Sequence, residues 1–242
     1  MRIVCRFLVL ALLAALMPSA ATADSILLRE GRIPLFNGEN LEGWVLHQPD
    51  ADPEAEPTWR VGDDGVLLCS GEPMGYLRTT RTYGNYRLTL QWRWPGEGGD
   101  SGVLLHVQDE DTVWPRSIEA QLASGNAGDF FVFKGVNFEE RENPDRMRTA
   151  KLAESSEKKV GEWNELEVIC DRDRIEVYVN GVLQNRATHP SLIHGHIALQ
   201  SDGKPIEFRK IILHPLDTPT RVDQANGDER AQGSGQGERR GS

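Results

Sequence analysis

The chain has 242 residues, of which 38% are hydrophobic, a share that suits one half-solvated β domain better than a core-rich enzyme. Its 27 Lys and Arg against 37 Asp and Glu give a formal charge of −10, which argues against nucleic acid as a partner, because the phosphate backbone is held by clustered cations. No apolar run reaches the roughly 18 residues of a membrane span.

The first residues read as an address. Arg2 and Arg6 form a basic region, residues 7–17 an apolar stretch of signal-peptide length, and Ala21-Thr22-Ala23 an A-x-A site. Cleavage after Ala23 is expected, with an uncleaved anchor as the other reading. Cys5 precedes the apolar run, so it does not fit a lipidated cysteine. Residues 1–23 are therefore expected to be a signal peptide and the protein to be exported, periplasmic or secreted.

From residue 24 to 216 the chain reads as one domain of short β segments separated by turn residues. Residues 86–94 alternate cleanly, with Tyr86, Leu88, Leu90, Trp92 and Trp94 on one face. Residues 102–107, 117–122, 164–170, 174–179, 196–200 and 206–213 are further strands, bounded by Gly, Pro, Asn or Asp. Asn180-Gly181, set between Val179 and Val182, predicts a tight hairpin whose two turn residues need positive φ. No stretch of 10 to 15 residues keeps a helical period, which excludes a parallel α/β fold and favours an all-β sandwich or barrel.

Residues 123–160, with Gly125, Gly128, Gly135 and Pro144 among many charges, predict one long loop that borders a site. Residues 217–242 are polar and Gly-rich and predict a disordered tail. Cys69 and Cys170 lie in apolar strands, where a disulfide and two buried thiols are both open. Neither C-x-x-C nor H-E-x-x-H occurs, so no metal site and no cofactor is expected. Asp109-Glu110-Asp111 could offer oxygen ligands to Ca²⁺ but reads first as solvated loop charge.

A series of short motifs resembles one family. Residues 35–44 (LFNGENLEGW), Trp59-Arg60-Val61 with Gly65-Val66-Leu67, the strand 86–94, Asp100-Ser101-Gly102-Val103, Ile118-Glu119-Ala120-Gln121-Leu122, residues 163–168, Val179-Asn180-Gly181 and residues 195–200 with Phe208-Arg209-Lys210-Ile211 follow in the order seen in the 3-keto-disaccharide hydrolase domain family. The resemblance spans residues 33 to 215. It implies a concanavalin A-like jelly-roll sandwich of two antiparallel sheets, one cupped around a carbohydrate site. It also implies hydrolytic chemistry on glycosides whose sugar carries a ketone at C3.

Strand alternation nominates the site residues. With Ile118, Ala120 and Leu122 inward, Glu119 and Gln121 face out; with Ile197 and Leu199 inward, Gln200 faces out. The same rule turns Arg93 outward and, with Val103, Leu105 and Val107 in the core, His106 as well. These side chains converge if their strands share the cupped sheet. Trp114 and Arg116 precede Glu119 on a Trp-Pro-Arg approach, and an aromatic ring beside charged groups suits a sugar. Glu119 and His106 are the catalytic candidates; Arg93, Gln121, Gln200, Trp114 and Arg116 are the substrate-binding candidates.

Related glucanases place two carboxylates two residues apart, close enough for double displacement. Here Gln121 and Ser124 stand where further carboxylates would be, which disfavours that chemistry. A C3 ketone acidifies the C2 proton, so elimination followed by hydration needs one base and donors for the enolate. Against this stand a non-catalytic carbohydrate-binding module of the same fold and a structural module of a larger exported assembly.

Overall fold

Where residues 86–94 alternate, the structure has a strand whose inward residues Tyr86, Leu88, Leu90 and Trp92 are all buried, with Trp94 following them into the core. The computed structural model describes residues 31–108 and 112–216. The 1–23 leader, the Asp109-Glu110-Asp111 cluster and the 217–242 tail lie outside the described residues. There are no helices among the described residues, and hence none long and apolar enough to cross a membrane.

The strands form two antiparallel sheets packed face to face. The eight-stranded sheet comprises β1 (Ile33–Pro34), β3 (Trp59–Val61), β4 (Leu67–Cys69), β6 (Tyr86–Arg93), β11 (Asn164–Asp171), β12 (Arg174–Val179), β13 (Val182–Thr188) and β15 (Ile206–Pro215). Its order is β13-β12-β11-β6-β15-β4-β3, with β1 also on β15. The seven-stranded sheet comprises β2 (Trp44–His47), β5 (Gly75–Thr79), β7 (Gly102–Val107), β8 (Ile118–Gln121), β9 (Phe130–Val132), β10 (Arg148–Thr149) and β14 (His196–Ser201), in the order β10-β9-β8-β7-β14-β5-β2. The fold is the expected jelly-roll sandwich.

The core lies between the sheets. Leu88, Leu90 and Trp92 from β6 meet Val103 and Leu105 from β7 and Ile118 and Ala120 from β8, all essentially without solvent exposure. Each large apolar side chain buried this way stabilises the fold by roughly 1.5–3 kcal/mol. Asn180 and Gly181 close the β12–β13 hairpin at φ 49° and 80°, as the turn requires. The Asn180 side chain then ties the turn to β11, accepting from the Glu165 N–H at 2.9 Å.

Cys69 and Cys170 are free and buried. Both lie in the eight-stranded sheet with β15 and β6 between their strands, about 14 Å apart across the strands and farther still along them, at opposite ends of β6. That separation is beyond the reach of a disulfide. Burial pushes their thiols up to about 11 and about 12 respectively.

Residues 123–160 are not one long loop. They contain β9 and β10, which extend the seven-stranded sheet beyond β8. Arg148 of β10 is ion-paired at 2.6 Å to Asp129, which is buried and also accepts the Lys151 N–H. That pair fastens the segment against the sheet.

Candidate functional site

Glu119 is central because both its neighbours on β8, Ile118 and Ala120, enter the core. Its side chain therefore emerges on the outer face of the seven-stranded sheet, in a cross-strand row with Leu104 of β7 and Phe131 of β9. This face is covered rather than bare: Tyr76, Leu104, Val107 and Ala198 form a second, smaller apolar cluster with Phe133, against which Phe131 packs.

Beside that cluster is a cavity of about 490 Å³. Its floor carries Glu119 and Gln121 from β8 and Gln200 from β14. One wall is apolar: Trp114, stacked on Phe133 with ring centres 5.4 Å apart, together with Phe131 and Met147. Trp114 is 38% exposed and Met147 56%, so the wall presents rings and thioether to an incoming molecule. Asp100 and Asp202 stand at the other side, joined as a β-bridge at the ends of β7 and β14, and Lys134 reaches the cavity from the segment after β9.

The strand ends are fastened. Ser101 Oγ donates to the Gln200 carbonyl at 2.8 Å. Gln121 Oε1 accepts the N–H groups of Leu122 and Ala123 at 2.8 and 2.9 Å, which leaves its amide nitrogen to donate to Asp100. Glu119 Oε1 and Gln200 Oε1 are buried and have no hydrogen-bond partner among the described residues. Buried polar atoms are rarely left so, and both side chains line the cavity.

Glu119 is 2% exposed, and burial, followed by the nearby charges of Asp100 and Asp202, pushes its carboxyl up to about 8. Burial also raises Asp100 and Asp202, and at Asp202 the charge of Asp100 adds to the rise. Hydrogen bonds from the Ser101 N–H and the Gln121 amide oppose it at Asp100. Three carboxylates crowding one cavity disfavour full ionisation, and the most buried of them keeps its proton longest. No set of three or more His, Cys, Asp and Glu among the described residues is placed to hold a metal ion.

The structure brings together four of the sequence-nominated residues, Glu119, Gln121, Gln200 and Trp114. It does not bring in the other three. Arg93 faces outward, but on β6, which belongs to the eight-stranded sheet; it pairs with Glu207 and stacks at 4.6 Å over Trp163 on the far side of the sandwich. Arg116 is half-buried and does not line the cavity.

His106 is a correction to the alternation argument. It adopts φ 54°, beside a register shift between His196 and Ala198 of β14, and this reverses the facing of the last two residues of β7. Val107 joins the outer cluster, while His106 turns inward, edge-on to Tyr86 at 5.8 Å, with Nδ1–H donating to the Leu192 carbonyl at 3.1 Å. Burial drives it down to about 4, so it is a neutral core histidine.

Sequence reasoning missed Asp202, Phe131, Phe133, Lys134 and Met147 and did not nominate Asp100. A signal existed for Asp202, two residues beyond Gln200 and of the same parity, just past the end of that strand.

The family model for the 3-keto-alpha-glucoside-1,2-lyase-like domain matches residues 31–214. A proposed glycosyl hydrolase from Parabacteroides distasonis is 21% identical with a TM-score of 0.57, over 78% of this chain and 95% of that one. A second from the same organism is 25% identical with a TM-score of 0.55, over 76% and 99%. A carbohydrate-binding module from Bacillus subtilis is similar in fold, with 13% identity and a TM-score of 0.51 over 71% and 95%. None of the curated proteins compared matches the chain.

Proposed function

The chain belongs to the 3-keto-alpha-glucoside-1,2-lyase-like domain family, and on that premise we propose that it is an exported enzyme cleaving 3-keto-glycosides by elimination and hydration, with Glu119 as the base. One observation carries the reading: a buried carboxyl with an unpartnered oxygen on a cavity floor, poised near 8. A base works best when its proton affinity lies near the operating pH.

In this reading the apolar face of the sugar lies against Trp114, and Gln200 holds a hydroxyl with its unpartnered oxygen. The Glu119 carboxylate takes the C2 proton, made acidic by the C3 ketone. The C2–H electron pair becomes the C1=C2 bond as the C1–O bond breaks, and the departing oxygen leaves as an alcohol once it gains a proton. Water then adds across C1=C2, its hydroxyl to C1 and its proton to C2, giving the free 3-keto sugar. Around the cavity the amide groups of Gln121 and Gln200 and the Lys134 ammonium are side-chain donors of the kind an enolate oxygen needs.

The test is incubation with a 3-keto-glucoside in deuterated water, followed by NMR. Cleavage with deuterium at C2, lost in Glu119→Gln, supports the mechanism. Cleavage without exchange at C2 rejects elimination. A protein that binds sugars but turns over none, 3-keto forms included, is a carbohydrate-binding module instead.

A further inference from the structure

Gly102 sits in mid-strand, paired with Gln121 across β7 and β8, and is buried. A glycine inside a strand weakens it, since it loses more freedom on folding and packs nothing. It is absent from the glycines with positive φ, so backbone conformation does not call for it. A close approach does. A Cβ at this position would lie 2.6 Å from both Cγ and Cδ of Glu119 and closer still to Oε1. Real atoms do not approach so closely, so the space over Gly102 is where the carboxyl lies.

The direction matters. Directly opposite Glu119 is Leu104, fully buried, so the glutamate leans along the strand to its diagonal neighbour Gly102, at the end carrying Asp100 and Asp202. We infer that Gly102 is a positioning residue, whose missing side chain lets the Glu119 carboxyl lie flat on the cavity floor with one oxygen turned to the substrate. The inference rests on the reading of Glu119 as the base. Any side chain at 102 lifts the carboxyl off the sheet, away from its buried seat and towards solvent. The charged groups facing it from the surrounding elements are Asp100 beside β7, Asp202 beyond β14 and Lys134 after β9.

Two sets of measurements test this. The first is thermal stability of Gly102→Ala in the wild-type and in the Glu119→Ala background. A fall of about 5 °C in the first, against under about 1 °C in the second, supports the seat, because removing the glutamate removes the clash. Equal falls in both backgrounds overturn it and assign the glycine to the backbone. The second is turnover of a 3-keto-glucoside. For a carboxyl displaced by an ångström or so, kcat should fall about 100-fold with KM little changed. The acid limb of the pH profile should move to lower pH, and Glu119→Asp should cost less activity in the Gly102→Ala background than alone. Coupled stability with an unchanged rate and pH profile overturns the positioning role. A wild-type protein without turnover overturns the reading beneath it, while the stability result still stands on its own.

Discussion

Glu119 should make the folded protein less stable as pH rises, and its replacement by Gln should remove that loss. In the unfolded chain the carboxyl ionises near its usual 4.5, whereas in the folded protein burial beside Asp100 and Asp202 holds the proton to about 8. Below the lower value both states are protonated and the group is neutral to stability. Between the two, the unfolded state ionises while the folded state does not, so stability falls by about 1.4 kcal/mol per pH unit. Above the upper value the accumulated loss is about 5 kcal/mol, a ceiling set by full burial of the group. Glu119→Gln keeps the length that fits over Gly102 and has no such titration. The melting temperatures of the two proteins, measured from pH 4.5 to 8.5, should diverge with increasing pH in favour of the variant. For a domain of this size the ceiling corresponds to roughly 10–20 °C. Parallel curves from pH 5 to 8 would show that Glu119 ionises normally in the folded protein, and the argument for a poised base would fail with it.

Three further outcomes follow from the same geometry. The acid limb of kcat/KM on a 3-keto-glucoside should lie near pH 8, and Asp202→Asn should move it lower, since a negative neighbour of Glu119 is removed; an unmoved limb would dissociate the two carboxyls. Trp114→Ala should raise KM about ten-fold with little change in melting temperature, because the ring is partly exposed and its loss removes a stacking surface. An unchanged KM would place the sugar elsewhere. Arg93→Ala should leave turnover within about two-fold, as the pair it makes with Glu207 is partly buried on the opposite sheet, away from the cavity.

Alternation made much of this fold legible. It placed Glu119, Gln121 and Gln200 on an outer face, and the Asn180-Gly181 turn where the chain reverses. What it does not specify is which sheet an outer face belongs to. Arg93 obeys the same parity as Glu119 and still points to the opposite side of the sandwich, because pairing partners are set by long-range register rather than by local pattern. His106 fails for a different reason: a non-glycine residue at positive φ beside a bulge reverses facing, and nothing in Leu-Leu-His-Val announces it. The strands β9 and β10 are three and two residues long, too short for any period to register. Phe131 on β9, with Phe133 and Met147 beside these strands, was therefore hidden within an apparent loop.

The floor and the wall of the cavity differ in how they are held. β8 and β14 lie mid-sheet, each paired on both sides, whereas β10 hangs at the end of the sheet by two residue pairs to a three-residue strand. Local opening is easiest where backbone pairing is sparse. The face bearing Met147, held by the Arg148–Asp129 pair rather than by a long ladder, should therefore open before the floor does, admitting and releasing ligand while the carboxyl beneath stays registered. Chemistry and traffic would then be assigned to different parts of one sheet: reshaping residues 133–147 would retune which aglycones enter without disturbing the acid–base geometry, a natural division along which relatives of this fold can diversify.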